Sequence, residues 1–413
     1  MTVNVLPGVA VDPRRPPSPP YDAAVVGGCG HVGLPLGIAL AQQGRRVALF
    51  DTNTAAVDSV NDGRLPFAEE DAAAPLRELV AGGRLVATAD PESVRGAPYV
   101  LIVIGTPVDE HLNPDPHVVV RAVAGIACHL EPEQLIVLRS TVYPGVTALV
   151  ERHLADLGLE NRVCFCPERI AQGHSLAELR TLPQIISART PEAMAQAREL
   201  FTGLAPRVIE LEPEEAELAK LFTNTWRYIR FAAANQLFMI ANECGLDFAR
   251  IRDAIVRDYP RAADMPEPGF AAGPCLLKDT MQLAAYNNNN FTLGHTSMMI
   301  NEGLPLYVVG RLERRFDLPA CTVGILGMAF KGESDDTRES LAYKLKRILG
   351  FRARAVLCTD PYVTTDPDLV GEPEVLDAAD VVVIGAPHSR YATLEIAAPV
   401  VDVFNVRGHG VLV

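Results

Sequence analysis

Apolar residues follow two rhythms along the chain. Ala23 to Gly27 is a short, unbroken apolar run, the pattern of a strand buried on both faces. Val32 to Gln43 follows with helical spacing and stops at Gly44, and Val47 to Phe50 is a second short run. Tyr99 to Ile104, Leu135 to Leu138 and Arg162 to Phe165 repeat the theme, which predicts βαβ units and a doubly wound parallel sheet. The middle differs. Pro213 to Glu243 keeps helical periodicity with no internal Gly or Pro, and Gly245 ends it. A helix of that length predicts a spine between domains or a subunit contact. Asn287-Asn288-Asn289-Asn290 reads as a polar loop. From Thr322 the first rhythm returns, with a strand to Leu326, a helix from Ser340 to Leu349, and strands at Ala355 to Cys358 and Val381 to Ile384.

The fold class that follows is α/β: two Rossmann-like doubly wound domains joined by a long central helix and helical connector. The expected divisions are a Pro-rich tail over 1–20, an N-terminal domain over 21–211, a central helical region over 212–305 and a C-terminal α/β domain over 306–413.

Composition narrows the function classes. Apolar content of 48% and charged content of 21% are ordinary for a globular protein. Acidic residues outnumber basic ones by 51 to 37, a formal net charge of -14, so neither nucleic acid nor an anionic membrane is an expected partner. A small anionic ligand stays open, because a few local Lys and Arg residues can hold one. The N-terminal stretch around Pro16-Pro17-Ser18-Pro19-Pro20 reads as a polyproline-like tail and not a secretory leader. The eight cysteines are scattered. Cys164 and Cys166 share one face of a strand pattern but read as buried small hydrophobes, so no metal site is expected. The compartment implied is the reducing cytoplasm.

Gly28-Cys29-Gly30-His31-Val32-Gly33 follows the first strand and opens the first helix. The first glycine permits the tight turn, the second lets backbone approach a pyrophosphate, and the third lets helix and strand pack closely. Asp51 closes the second strand at about the ~20-residue offset expected of a ribose-binding carboxylate, which favours NAD over NADP. His31 reads as space-filling within this cofactor loop.

Five further segments occur in order: Ser140-Thr141-Val142-Tyr143-Pro144-Gly145, Pro167-Glu168-Arg169-Ile170, Glu217-Leu218-Ala219-Lys220-Leu221 with Asn224, Gly273-Pro274-Cys275-Leu276-Leu277-Lys278-Asp279, and Ala329-Phe330-Lys331 with Asp335-Asp336-Thr337-Arg338-Glu339-Ser340. In that order and spacing the chain resembles the UDP-glucose/GDP-mannose dehydrogenase family over nearly everything after the tail. The resemblance implies a four-electron oxidation of a nucleotide sugar at C6 using two NAD in succession. It also implies a homodimer built on the central helices, with substrate held between the two α/β domains.

An alcohol-to-acid oxidation passes through an aldehyde that must gain oxygen before a second hydride can leave, and a thiol solves this by forming a thiohemiacetal and then a thioester. Cys275 is the expected nucleophile. A helix start and Lys278 beside it should lower its pKa. The plainer alternative is one more buried thiol, and its place in a Cys-x-x-Lys-Asp pattern favours catalysis. Lys220 and Asn224, four apart on one helix face, suit an oxyanion. The resemblance implies that Asp279 assists proton removal through a water, Glu168 activates the hydrolytic water, and Thr141 holds that water and the nicotinamide. It adds Thr106, Lys278 and Arg338 to the cofactor set. Arg169, Gly273, Lys331 and Arg261 join the substrate set, Arg261 reaching a neighbouring subunit.

The chain departs from the family pattern at three places. Ala271-Ala272-Gly273-Pro274 replaces a more glycine-rich loop, Gln172 stands where UDP-glucose enzymes carry a second glutamate, and Phe404 stands where an arginine is frequent. Glu168-Arg169 and Tyr259-Pro260-Arg261 look more like the branch acting on UDP-N-acetylhexosamines than like the UDP-glucose or GDP-mannose branches. Two rival readings stay open at this point. One is a two-domain β-hydroxyacid dehydrogenase, which has no use for Cys275. The other is a non-catalytic nucleotide-sugar or NAD-binding protein.

Overall fold

The computed structural model describes residues 21–109, 113–411 and 413, and the tail expected over 1–20 lies outside them. Eight strands form the N-terminal sheet: β1 (Ala23–Val26), β2 (Val47–Phe50), β3 (Leu85–Thr88), β4 (Tyr99–Ile102), β5 (Leu135–Leu138), β6 (Arg162–Phe165), β7 (Gln184–Ala188) and β8 (Val208–Leu211). Their spatial order is β3-β2-β1-β4-β5-β6-β7-β8. Separate apolar cores cover its two faces, which is why β1, β4 and β5 are buried throughout and read as continuous apolar runs. The C-terminal sheet is smaller: β9 (Thr322–Leu326), β10 (Ala355–Thr359), β11 (Val381–Ile384) and β12 (Val400–Val401), ordered β10-β9-β11-β12 and wholly parallel.

The first sheet departs from the wholly parallel expectation at one place, because β7 runs antiparallel to β6. After β6 the chain spends residues 166–174 on a loop at the carboxyl edge of the sheet. The helix that follows, Ser175–Thr181, is too short to carry it back across a strand's length. β7 therefore starts from the edge at which β6 stopped. No hydrophobic pattern encodes that choice, since a buried strand reads alike in either direction.

A helix over Pro213–Glu243, the spine, joins the two domains. Its start is held by Glu215, whose side chain accepts from the Glu212 N–H at 3.0 Å. Glu217, Lys220, Asn224, Tyr228, Asn235 and Asn242 recur at spacings of three, four and seven, so they form one stripe, and all six are buried. The stripe docks the helix by hydrogen bonds. Glu217 accepts from the Gly145 N–H (2.6 Å), the Thr147 N–H (2.8 Å) and the Thr147 hydroxyl (2.6 Å), which ties the spine to the loop after β5. Asn235 brackets Gly269, donating to its carbonyl (3.0 Å) and accepting from its N–H (2.8 Å). It also donates to Asn301 (2.9 Å).

Asn235→Ala is expected to lower stability by about 3 kcal/mol, because it strands the buried Gly269 N–H and carbonyl together. The urea unfolding midpoint measures this, and an unchanged midpoint would show that the Asn235–Gly269 bonds do not hold the loop.

Candidate active site

Gly269 begins the loop that ends at Cys275, and two aromatic rings of the C-terminal domain seat it. Phe404 lies over Gly269, where an added Cβ would sit 2.5 Å from the ring, and Phe330 lies over Gly273, where it would sit 2.6 Å away. Gly269 and Gly273 have φ of 148° and 98°, so both space and backbone require glycine. Phe404, which stands where an arginine was expected, also packs edge-on against Phe270. Its role here is to shape the loop.

Cys275 is the N-cap residue of the helix Leu276–Tyr286, the cysteine helix, and its carbonyl accepts from the Asp279 N–H at 2.8 Å. The side chain is open to solvent. One turn in, Asp279 is fully buried, accepting from the Asn224 amide at 2.5 Å and lying 2.6 Å from the Lys278 ammonium. The Asp279 Oδ1–Lys278 contact is an ion pair whose alignment falls short of a hydrogen bond. Lys278 also donates to the Thr106 hydroxyl at 3.4 Å, and Thr106 donates to the Thr141 carbonyl at 2.6 Å. Lys220, on the spine, is buried, and its electrostatic neighbours are Asp279, Cys275 and Glu168. Among the described residues its ammonium makes no hydrogen bond or ion pair. The structure thus brings Cys275, Lys220, Asn224, Asp279, Lys278 and Glu168 together.

Glu168 is held more firmly than its sequence context suggested. One carboxylate oxygen accepts from the Arg169 and Ile170 N–H groups at 2.7 and 3.0 Å, and the other from the buried Arg139 guanidinium. Arg139 also donates to the Cys166 carbonyl and to Gln184. Sequence reasoning missed Arg139; its signal was a lone cation ending the apolar run of β5. Arg169 folds back so that its guanidinium donates to the Pro183 carbonyl, a contact within its own domain. Arg261 is exposed. Cys164 and Cys166 are fully buried, with sulfurs 3.7 Å apart.

The two domains meet beside this cluster. Lys331 donates to the Gln172 carbonyl, the Gln172 amide bonds His31 Nδ1 at 3.1 Å, and Asp335 accepts from the Ala68 N–H at 3.1 Å. His31 packs on Phe67 with ring centroids 4.0 Å apart. Burial and the cations Arg338 and Lys331 lower its pKa, which keeps the ring neutral. Arg338 is clamped to Asp336 at 2.6 Å. Glu69, also missed, accepts from the Gly173 and Ser175 N–H groups and shapes the loop that carries Gln172.

Comparison with known proteins agrees with this arrangement in all three parts. Residues 23–205 match the NAD binding domain of the UDP-glucose/GDP-mannose dehydrogenase family, 214–302 its central domain and 324–409 its UDP binding domain. An NDP-N-acetyl-D-galactosaminuronic acid dehydrogenase of Ralstonia nicotianae is 31% identical over 392 residues, covering 89% of this chain and 91% of the relative. The chain belongs to the UDP-glucose/GDP-mannose dehydrogenase family. Among solved structures, a UDP-D-ManNAc dehydrogenase from Pyrococcus horikoshii superposes with a TM-score of 0.86 at 27% identity, covering 93% of this chain and 95% of the other. A UDP-glucose dehydrogenase from Pyrobaculum islandicum gives 0.86 at 26% identity, covering 95% and 96%. The protein is accordingly an NAD-dependent nucleotide-sugar dehydrogenase, and the match over 324–409 sets aside the two-domain hydroxyacid dehydrogenase.

The family's dinucleotide loop fits NAD in this chain. A Cβ at Gly28 would lie 2.7 Å from Leu49, and one at Gly33 would lie 2.4 Å from the Gly27 carbonyl, so those glycines serve packing. At Gly30 the nearest atom would be 3.7 Å away. Packing within the chain does not demand glycine there, and close approach of a diphosphate does. Asp51 accepts from the Cys29 N–H at 3.0 Å and stands at the end of β2. The Cys29 thiol is pushed up to about 12 by burial and Asp51, which keeps it protonated near neutral pH.

One expectation about the nucleophile is overturned. Burial, with Asp279 adding to it, raises the Cys275 thiol above its ordinary range, while Lys220, Lys278 and Arg338 pull in the other direction without winning. The dipole and Lys278 had been expected to lower it. A crevice that admits solvent to a sulfur still crowds out the bulk water that stabilises a thiolate. Burial likewise lowers Lys220, against the pull of Asp279, Cys275 and Glu168. Since the folded thiol titrates above 9.0, the thiolate fraction keeps growing through that pH. The alkylation rate of Cys275 by iodoacetamide, followed site by site by mass spectrometry, is therefore expected to climb beyond pH 9.0 in the ligand-free protein. A plateau near neutrality would contradict the dominance of burial.

Proposed function

We propose that the protein oxidises the C6 hydroxymethyl of a UDP-N-acetylhexosamine to the uronate, through a covalent adduct on Cys275. One observation carries this reading: a solvent-reachable thiol at a helix N-terminus stands over a buried Asp279–Asn224 pair beside the unpaired Lys220 ammonium. Bound NAD supplies the two-electron acceptor for each oxidation. In the first, the C6 hydroxyl loses a proton and C6 loses hydride, leaving an aldehyde. The Cys275 sulfur then adds to the aldehyde carbon. The alkoxide formed lies where Lys220 and Asn224 can hold it, and in a desolvated site an ammonium stabilises an oxyanion strongly. Loss of a second hydride turns this thiohemiacetal into a thioester. Water adds to the thioester, the C–S bond breaks, and the carboxylate leaves with the thiol restored. Each turnover consumes one water and two NAD and releases three protons.

Position supports the following roles. Asp279 and Lys278 relay protons at the thiol. Glu168, oriented by Arg139 and two backbone N–H groups, directs the hydrolytic water with Thr141. Lys331 and Gly273 face the nucleotide sugar across the domain cleft, and Arg338 and Thr106 face the cofactor. The aminosugar branch is supported by the Arg169 and Arg261 contexts and by relatives named as acting on N-acetylated sugars, among them the UDP-N-acetyl-D-mannosamine dehydrogenase of Pyrococcus horikoshii at 28% identity. UDP-glucose and GDP-mannose remain the competing substrates.

The spine also supports a homodimer. Phe222, Trp226, Leu237 and Ile240 lie on the side opposite the buried polar stripe and are 53%, 57%, 40% and 55% exposed. Met299 and Leu306 on the helix Thr292–Glu313 add to the apolar surface. A patch of large apolar residues on one face is the mark of a partner surface, and a second copy is the simplest occupant for a symmetric helix pairing.

Two outcomes are expected. With a panel of UDP- and GDP-sugars, the wild-type protein yields two NADH per UDP-N-acetylhexosamine, and Cys275→Ala yields at most one and no uronate. Activity confined to UDP-glucose would sink the branch assignment, and full acid formation by Cys275→Ala would sink the thioester route. Trp226→Glu is expected to shift the sedimentation coefficient from dimer to monomer; an unchanged wild-type monomer would refute the dimer.

A further inference from the structure

Gln282 lies on the cysteine helix three residues beyond Asp279 and seven beyond Cys275, so the three share one face. It is 1% exposed, and among the described residues its amide oxygen has no hydrogen-bond donor. It lines a small pocket of about 10 Å³, partly open to solvent, with Thr106, Asp115, Pro116, Thr141 and Tyr143. Thr106 and Thr141 follow β4 and β5, so the pocket sits at the carboxyl edge of the sheet. It is close to the point where strand order reverses between β1 and β4. In an open α/β sheet that crevice is where the dinucleotide lies, and the reacting end of the cofactor must come within reach of Cys275.

A buried acceptor left without a donor is costly, and nothing in the hydrogen-bonding of the fold accounts for it here. Its position on the Cys275 face points to a donor that arrives with a ligand. The nicotinamide ring has a single hydrogen-bonding substituent, its carboxamide, which carries two N–H donors. We propose that Gln282 is a positioning residue for the cofactor: its amide oxygen accepts the carboxamide N–H, and so selects which face of the ring is turned toward the carbon held on Cys275. This rests on the NAD reading of the N-terminal domain. Hydride passes from the sugar carbon only to the ring face that meets it, and without such an anchor the ring can rotate about its ribose bond and present the wrong one.

The test uses the full-length protein and two dinucleotides: NAD, and 3-acetylpyridine adenine dinucleotide, in which a methyl group replaces the amide nitrogen. Titration calorimetry on the wild type is expected to show NAD bound about three- to tenfold more tightly, the size of one neutral hydrogen bond. In Gln282→Met that preference falls to near unity, and in Gln282→Glu, which keeps an oxygen acceptor, it returns. The ligand-free thermal midpoint of Gln282→Met is expected to stay level or rise, since the change removes an unmade acceptor. The upward shift on adding NAD shrinks. A wild-type preference that persists in Gln282→Met overturns the proposal, as does a lowered ligand-free midpoint with no change in preference, which would assign Gln282 to the fold or to a buried water. Wild-type protein that binds neither dinucleotide overturns the cofactor reading, and this proposal with it.

Discussion

The site depends on a row of polar side chains buried along one face of the spine helix. Four of them, Glu217, Asn224, Asn235 and Asn242, are hydrogen-bonded and would cost free energy if left unbonded, so each of these dictates where its partner must be. Glu217 captures the loop after β5, Asn224 meets Asp279 on the cysteine helix, Asn235 grips Gly269, and Asn242 accepts from the Val413 N–H at 3.1 Å. One rigid rod thereby sets the distance between the sheet edge that holds the cofactor and the loop that presents the thiol. An apolar stripe would bury as well, but it would tolerate sliding, since apolar contacts carry little directional preference.

Charge is deployed locally against the average. The chain is acidic, with a net charge of -14, yet Lys220, Lys278, Lys331 and Arg338 gather around the cleft between the domains. The anionic diphosphate of a nucleotide needs such a cluster. Burial makes it effective, because the water that would screen the cations is excluded. The same burial raises Cys275 and lowers Lys220, because each loses hydration of its charged form.

The departures from the family pattern acquire physical meaning in the folded chain. Phe404 replaces a charge with a ring that fills the space above Gly269. Gln172 uses its main chain to receive Lys331 from one domain while its side chain holds His31 in the cofactor loop of the other. The loop before the cysteine can therefore be shaped by aromatic packing from the C-terminal domain as well as by its own glycines.

Local pattern determined a great deal. The spine was legible from Pro213 to Glu243 because helical periodicity ran unbroken, β2, β5 and β6 because parallel strands buried on both faces are continuous apolar runs, and the dinucleotide loop because its glycines answer to sterics that act within a few residues. The ordered motifs also placed Cys275, Lys220, Asn224 and Asp279 in one family, although their meeting is a fact of three dimensions. Tertiary structure alone decided the reversed direction of β7, the Arg139 clamp on Glu168, the Glu69 support and the unpaired oxygen of Gln282, since each depends on which distant segment arrives alongside. It also decided the sense of the Cys275 shift: neighbours in sequence supply charge, and only the packed fold supplies the desolvation that outweighs it.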